Sequence, residues 1–175
     1  MKIVAFDPSL SSTGVWVDRT GQSYSIRTDA KESRFDRLAK LYRSVGKILS
    51  KERPEIVAVE NYAYGITNSK SITAQAEVGG IIRALARVMG AQVVEVATAQ
   101  WKNMVLGSGA GGSKKTKADR ALYIGMVKAI TGKQFETTDE ADAYMIAEYV
   151  KRVMNGEAKT EAARSIKRVL EKSGE

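Results

Sequence analysis

The sequence predicts a mixed α/β domain: an antiparallel meander of three strands that continues into parallel strands, five in all, flanked by helices. Three observations carry this. Up to Thr28 the chain holds three short apolar or β-branched runs separated by turn residues. A long segment of helical period follows. Beyond Pro54 another apolar run, Ile56-Val57-Ala58-Val59-Glu60, begins. A strand that follows a helical crossover lies parallel in the same sheet.

The first run, Lys2-Ile3-Val4-Ala5-Phe6-Asp7, is short, apolar and ends on one acid. It reads as a buried strand whose terminal carboxylate sits at the edge of the core, where an unpaired charge is costly. Either Asp7 is a turn residue of Asp-Pro-Ser, or a cation, a helix N-terminus or a metal compensates it. The small residues from Ser9 to Gly14 keep the following turn open to close approach of backbone or substrate. Gly14 to Asp18 is the second strand, Arg19 to Gln22 the turn, and Ser23 to Thr28 the third strand.

Ser33 to Lys51 is helical by period, with Phe35, Leu38, Ala39, Tyr42, Val45 and Leu49 expected on one face. The strand Ile56 to Glu60 again ends on an acid. On a strand beside the first, Glu60 comes near Asp7, and two such carboxylates repel unless one is protonated or a cation lies between them. A loop with Tyr62 and Tyr64 leads to a long helix, Ser69 to Met89, with Ile72, Ala76, Gly79, Ile82, Ala86 and Met89 on its stripe. Gly79-Gly80 costs helix stability, which points to close packing against another helix. Gly90 to Val96 is the last strand. Thr98 is expected to cap a short helix carrying Trp101 and Lys102.

Gly107 to Gly112 is a glycine-rich loop without the spacing of a phosphate-binding P-loop. Ser113 is expected to cap a helix whose first turn holds Lys114, Lys115 and Lys117. Cations there oppose the helix dipole, and a bound anion would reverse the sign. Thr137 and Glu140 have capping-box spacing before a further helix. Asp139 and Asp142, three apart, share a face of its first turns, and Ala141, Ala143, Ile146 and Ala147 mark it as buried. Residues 1–155 are thus expected to form one domain. Residues 156–175 are expected to be a charged helical tail with a weak apolar stripe of Ile166, Val169 and Leu170.

Composition narrows the chemistry. The chain has neither cysteine nor histidine. Disulfides, zinc–thiolate sites and an imidazole base are therefore excluded, and a metal site must be built from oxygens. The formal net charge is +8. From Thr98 to Lys133 seven cations (Lys102, Lys114, Lys115, Lys117, Arg120, Lys128, Lys133) face one anion, Asp119. Such a segment is either a solvated basic surface or a binding surface for a polyanion. No run reaches the length of a membrane span and no signal-peptide pattern opens the chain, so a cytoplasmic, nucleoid-associated protein is expected.

Asp7, Glu60, Asp139 and Asp142 together suit an all-oxygen site for hard divalent cations, Mg²⁺ or Mn²⁺. Two such ions ~3.5–4 Å apart can clamp the oxygens of phosphoryl transfer. In order along the chain, Ile-Val-Ala-Phe-Asp7-Pro-Ser-x-x-x-Thr-Gly14, Val-Ala-Val-Glu60 and Asp139-Glu-Ala-Asp142-Ala resemble the RuvC Holliday junction resolvases, with Trp101-Lys102-Asn103 and the glycine-rich stretch to Lys114 between them. The resemblance runs from Lys2 to Ala147. It implies an RNase H-like fold, a homodimer through the helix Ser69–Met89, two metal ions, and paired nicks in a four-way DNA junction. By position, Asp7 would bridge both metals and Glu60, Asp139 and Asp142 would complete the coordination. Lys102 and Lys114 would contact the scissile phosphate or backbone, with Lys115 and Lys117 equally placed for the second role and Arg120 beside them. Where some members carry a base-stacking aromatic, this chain has Ala63 between Tyr62 and Tyr64, so either tyrosine is the candidate. The small size resembles a phage-type member. Alternative readings are a broader nuclease of this fold acting on forks and flaps, a binding-only branched-DNA dimer, and an actin-like ATPase, for which one domain is too short.

Overall fold

Period-two alternation along short strands decides which helices cover which face of the sheet. The computed structural model describes residues 1–61, 69–107, 116–157 and 160–171. Its strands are β1 (Ile3–Asp7), β2 (Ser12–Val17), β3 (Gln22–Arg27), β4 (Ile56–Glu60) and β5 (Gln92–Val96), in the spatial order β3-β2-β1-β4-β5. The meander β1-β2-β3 is antiparallel, and β1-β4-β5 is parallel. The expected mixed five-stranded sheet is therefore observed. The helices are α1 (Arg34–Glu52), α2 (Ser69–Val88), α3 (Thr98–Trp101), α4 (Lys117–Thr131), α5 (Thr138–Met154) and α6 (Glu161–Glu171), with a π-helical segment at Lys102–Leu106.

Val4, Phe6, Val15, Val57 and Val59 point to one face and pack with α1 and α2, through Leu41, Val45, Leu49, Val78 and Ile82. Ile3, Ala5, Trp16, Ile56 and Ala58 point to the other, under α5. Asp7 continues the Ile3–Ala5 row and Glu60 the Ile56–Ala58 row. Both acids therefore fall on the α5 face at the same end of adjacent strands, where Phe6 pairs with Val59. On that face α5 is buried along most of its length, from Ala141 to Val153. An edge-to-face contact between Trp16 and Tyr144, with centroids 4.8 Å apart, fixes its crossing over β2.

Several local expectations are corrected. The core row of α1 is Leu41-Val45-Leu49; Phe35 and Tyr42 lie a step round the helix and are 80% and 54% exposed. Among the described residues of this chain neither glycine of α2 packs against another helix: Gly79 makes room for the guanidinium of its own helix's Arg83, and Gly80 faces open space. The cap of α3 is Ala97, whose N–H is accepted by the Gln100 side chain at 3.3 Å, so Thr98 is the first helical residue. The cap of α4 is Thr116, in a reciprocal box with Asp119, because only there does a hydroxyl stand three residues before an acid. Lys117 thus opens the helix, while Ser113, Lys114 and Lys115 lie outside the described residues. Thr137 caps α5 through the Glu140 N–H, but the Glu140 carboxylate is taken by the hydroxyls of Ser23 and Ser25, both at 3.1 Å. From the tail, α6 contributes Ala163 and Ile166 to the core beneath α5. Among the described residues no helix is long and apolar enough to cross a membrane.

One close approach sets the height of α5 on the sheet. Gly14, paired with Asp7, lies directly under the start of α5, and a Cβ there would stand 1.9 Å from the Asp139 carbonyl oxygen. That neighbour is helix backbone, so a side chain cannot simply rotate away. Gly14→Ala is expected to cost about 1–3 kcal/mol of stability, as overpacking does. Gly46→Ala, in α1 with open space around it, is expected to stabilise by up to about 1 kcal/mol. Urea unfolding of both variants checks the contrast; an unchanged midpoint for Gly14→Ala would show that α5 is free to ride higher.

Candidate active site

The site is built at the carboxyl ends of β1 and β4 beneath the first turns of α5. Asp7 keeps partial exposure, while Glu60 and Asp142 are each only 8% exposed. Burial pushes the Asp7 carboxyl well above the usual carboxylate range, and the charges of Glu60, Asp142 and Asp139 push it further. A hydrogen bond with the Glu60 side chain adds to the effect. The other three acids named from the sequence are thus within electrostatic reach of Asp7. The loop after Asp7 is tied down by Thr13, whose buried hydroxyl donates to the Ser9 carbonyl at 2.6 Å.

Three of the four acids are held by neutral donors. The Trp101 indole N–H donates to Glu60 Oε1 at 3.0 Å, in the interior. The Tyr123 hydroxyl donates to Asp142 Oδ1 at 2.6 Å, and Ser12 Oγ donates to Asp139 Oδ2 at 2.6 Å. Tyr123 is itself driven strongly upward in pKa by burial and then by Asp142, so it stays protonated and donating. None of these partnerships was assigned from the sequence. The residues lie 41, 19 and 127 positions from their acids, and no local spacing marks them. As the side chains stand, no three acids among the described residues surround one point in ligating geometry. What fits a hard divalent cation is the chemistry of the donor set: clustered carboxylate oxygens, held by uncharged donors, with mutual repulsion that a cation would relieve.

Cations line the approach. A cleft of about 430 Å³ runs from Asp139 and Ser12 to Lys117, Arg120 and Arg27. Lys117 and Arg120 are the two sequence candidates that this cleft brings to Asp139; Arg27, at the end of β3, is an addition. Lys102 opens the π-helical segment, its ammonium 5.2 Å from the centre of the Trp101 ring. Such segments recur at functional sites. Tyr62, Tyr64, Lys114 and Lys115 lie outside the described residues.

Comparison with known proteins decides the family. Residues 3–149 match the family model of crossover junction endodeoxyribonuclease RuvC. The chain belongs to the RuvC family. Among its relatives, the RuvC of Syntrophomonas wolfei is 31% identical over 156 residues, covering 84% of this chain and 86% of that protein. The RuvC of Erythrobacter litoralis is 31% identical over 153 residues, covering 83% and 89%. The fold also matches the Thermus thermophilus RuvC structure, with a TM-score of 0.65 at 22% identity over 89% of this chain and 97% of that one. T. thermophilus RuvC in complex with a Holliday junction substrate gives 0.69 at 19% identity, covering 89% and 96%. The RNase H-like fold expected from the sequence is therefore the fold found.

The Asp7 environment makes a pH prediction. A carboxyl with a raised folded-state pKa binds its proton more tightly in the folded than in the unfolded chain. Without metal, stability is therefore full below the ordinary carboxylate range and falls as pH climbs through the raised value. Asp7→Asn removes that loss. Its metal-free melting temperature is expected to exceed the wild type's near neutral pH, by about 2–4 °C per kcal/mol relieved. The gap should close as pH is lowered to about 4. Thermal melts in EDTA across pH measure this, and a gap that does not vary with pH would remove Asp7 from the acid cluster.

Proposed function

We propose that this RuvC-family chain is a metal-dependent endonuclease that resolves four-way DNA junctions by paired nicks through two-metal phosphodiester hydrolysis, working as a homodimer with Mg²⁺, or Mn²⁺ in its place. The observation that carries the reading is the coupling of Glu60, Asp139 and Asp142 to Asp7, with Asp139 lining a cleft that also holds Lys117 and Arg120. A binder of DNA gains nothing from four anions facing phosphates. A nuclease needs them, because two bound cations supply a clamp for the attacking and leaving oxygens of the phosphate. With no histidine or cysteine in the chain, hard cations suit the donors better than zinc or copper.

The division of labour follows from position. Asp7, to which the other three acids couple, would hold the cations together with Glu60, Asp139 and Asp142. Lys117 and Arg120 hold the phosphate backbone in the cleft. Lys102 is assigned to the scissile phosphate, and Lys114 or Lys115 to the neighbouring backbone. Tyr62 or Tyr64 is assigned to stacking on an unpaired base. The dimer is assigned to α2, whose outer side presents Gly80, Ala84 and Val88, the last 85% exposed. Small residues there permit close approach of a second copy, and two sites on one junction give the paired cuts. The cell compartment that fits is the bacterial or phage-infected cytoplasm, at the nucleoid.

The test is nicking of an immobile four-way junction beside matched duplex, fork and flap DNA, with Mg²⁺, Mn²⁺ or EDTA. Metal-dependent symmetric nicks confined to the junction are expected. Equal cutting of forks and flaps would support the broader nuclease, and tight junction binding without cutting would support the binding-only dimer. Asp7→Asn is expected to reduce cutting to the level seen in EDTA while leaving junction binding intact. In Lys117→Ala/Arg120→Ala, the log–log salt slope of binding should shrink by about 0.9 for each phosphate that the variant no longer neutralises. An unchanged slope would place both side chains away from DNA.

A further inference from the structure

We propose that Trp101 and Tyr123 are positioning residues of the cation site: the indole N–H sets the orientation of Glu60 and the phenol O–H that of Asp142. The inference rests on the metal-site reading above and goes beyond it to two residues that no ligand role requires.

The residue types carry the first part of the argument. Trp101 is fully buried and Tyr123 is 3% exposed. An apolar ring would fill either space at less desolvation cost, since a buried polar group is costly unless bonded. Each instead sends its one strong donor to a carboxylate of the cluster, at 3.0 Å and 2.6 Å. The Tyr123 distance is that of a hydroxyl bonded to a charged acceptor.

Their neutrality carries the second part. A lysine or arginine in either place would cancel the carboxylate's charge and compete with a metal ion. An indole and a phenol fix the plane of the carboxylate and leave its charge for the cation. In metal sites, groups that orient ligands in this way set affinity.

The third part is where they stand. Trp101 precedes Lys102, whose ammonium lies 5.2 Å from its ring centre. Tyr123 lies on α4 with Lys117 and Arg120. Each donor therefore ties an element bearing DNA-facing cations to one acid of the cluster, so the elements that grip phosphate are indexed to the cation site.

The experiment is a calorimetric Mn²⁺ titration of wild type, Trp101→Phe, Tyr123→Phe, Asp7→Asn and Val127→Ala. Both ring-conserving variants are expected to raise the Mn²⁺ dissociation constant by about 10–100-fold. Val127→Ala, which removes buried bulk from α4, is expected to lower the melting temperature and leave Mn²⁺ affinity unchanged. Tryptophan emission supplies an independent signature: wild type should respond to Mn²⁺ and Trp101→Phe, which retains Trp16, should not. At high Mn²⁺ the nicking rate of both variants should recover, which a misfolded site would not do. If wild type binds Mn²⁺ and Asp7→Asn does not, yet both ring variants bind like wild type, the positioning role is overturned. If wild type and Asp7→Asn are alike in failing to bind, the metal-site reading itself falls and the inference with it.

Discussion

Mutual repulsion among four carboxylates at one edge of a sheet is the constraint on which the rest of this structure depends. Asp7 and Glu60 end adjacent parallel strands, and α5 brings Asp139 and Asp142 down onto them. Packing alone gives no reason to collect like charges in a partly dehydrated place. The fold holds them there through packing elsewhere: α5 is buried on nearly every side, and Trp16, Tyr144 and Phe135 lock it to β2. The site is thus a region of local electrostatic cost carried by a large apolar core, the pattern expected where a protein keeps strain for function.

Three contacts to the acids come from uncharged donors among the described residues. Ser12, Trp101 and Tyr123 each donate a hydrogen bond to an acid of the cluster. The Glu140 carboxylate, beside them on the same helix, is satisfied by serine hydroxyls of β3. Lys117, Arg120 and Arg27 stand along the cleft with Asp139. The molecule therefore separates two tasks. Neutral donors hold the acids, and cations line the cleft beside Asp139.

Much of this is legible in the sequence, for identifiable reasons. Short apolar runs ending in Asp7 and Glu60 are local signals, and the period of two then assigns both side chains to one face. The spacing of Asp139 and Asp142 is equally local. Ambiguity enters where a single turn of chain offers competing choices. Ser113, Thr116 and Thr98 are all acceptable caps by type, and the residue three positions on decides: Asp119 makes Thr116 the cap of α4 and Gln100 makes Ala97 the cap of α3. Phe35 and Tyr42 lie one row from the core row of α1, close enough in angle to be grouped with it. Glu140 has capping-box spacing, but two serines on another strand claim its carboxylate. The donors to the acids are illegible because their meaning exists only across the fold: Tyr123 is an ordinary helix aromatic until α4 lies against α5.

The absence of histidine connects these observations. In a site that used an imidazole base, the pKa of that ring would be decisive. Here Tyr123 is held protonated, and Asp7 is raised first by burial and then by the charges of Glu60, Asp142 and Asp139. Binding a cation would offset those charges and return Asp7 to a ligating anion. The chemistry then depends on how firmly the oxygens are aimed, and less on the acidity of any one residue. That dependence explains why buried aromatic side chains with a single polar atom, which elsewhere would be ordinary core residues, are found with that atom against the carboxylates. It also makes the backbone contact at Gly14 part of the same device, because the height of α5 over β1 sets the distance across which those carboxylates must meet.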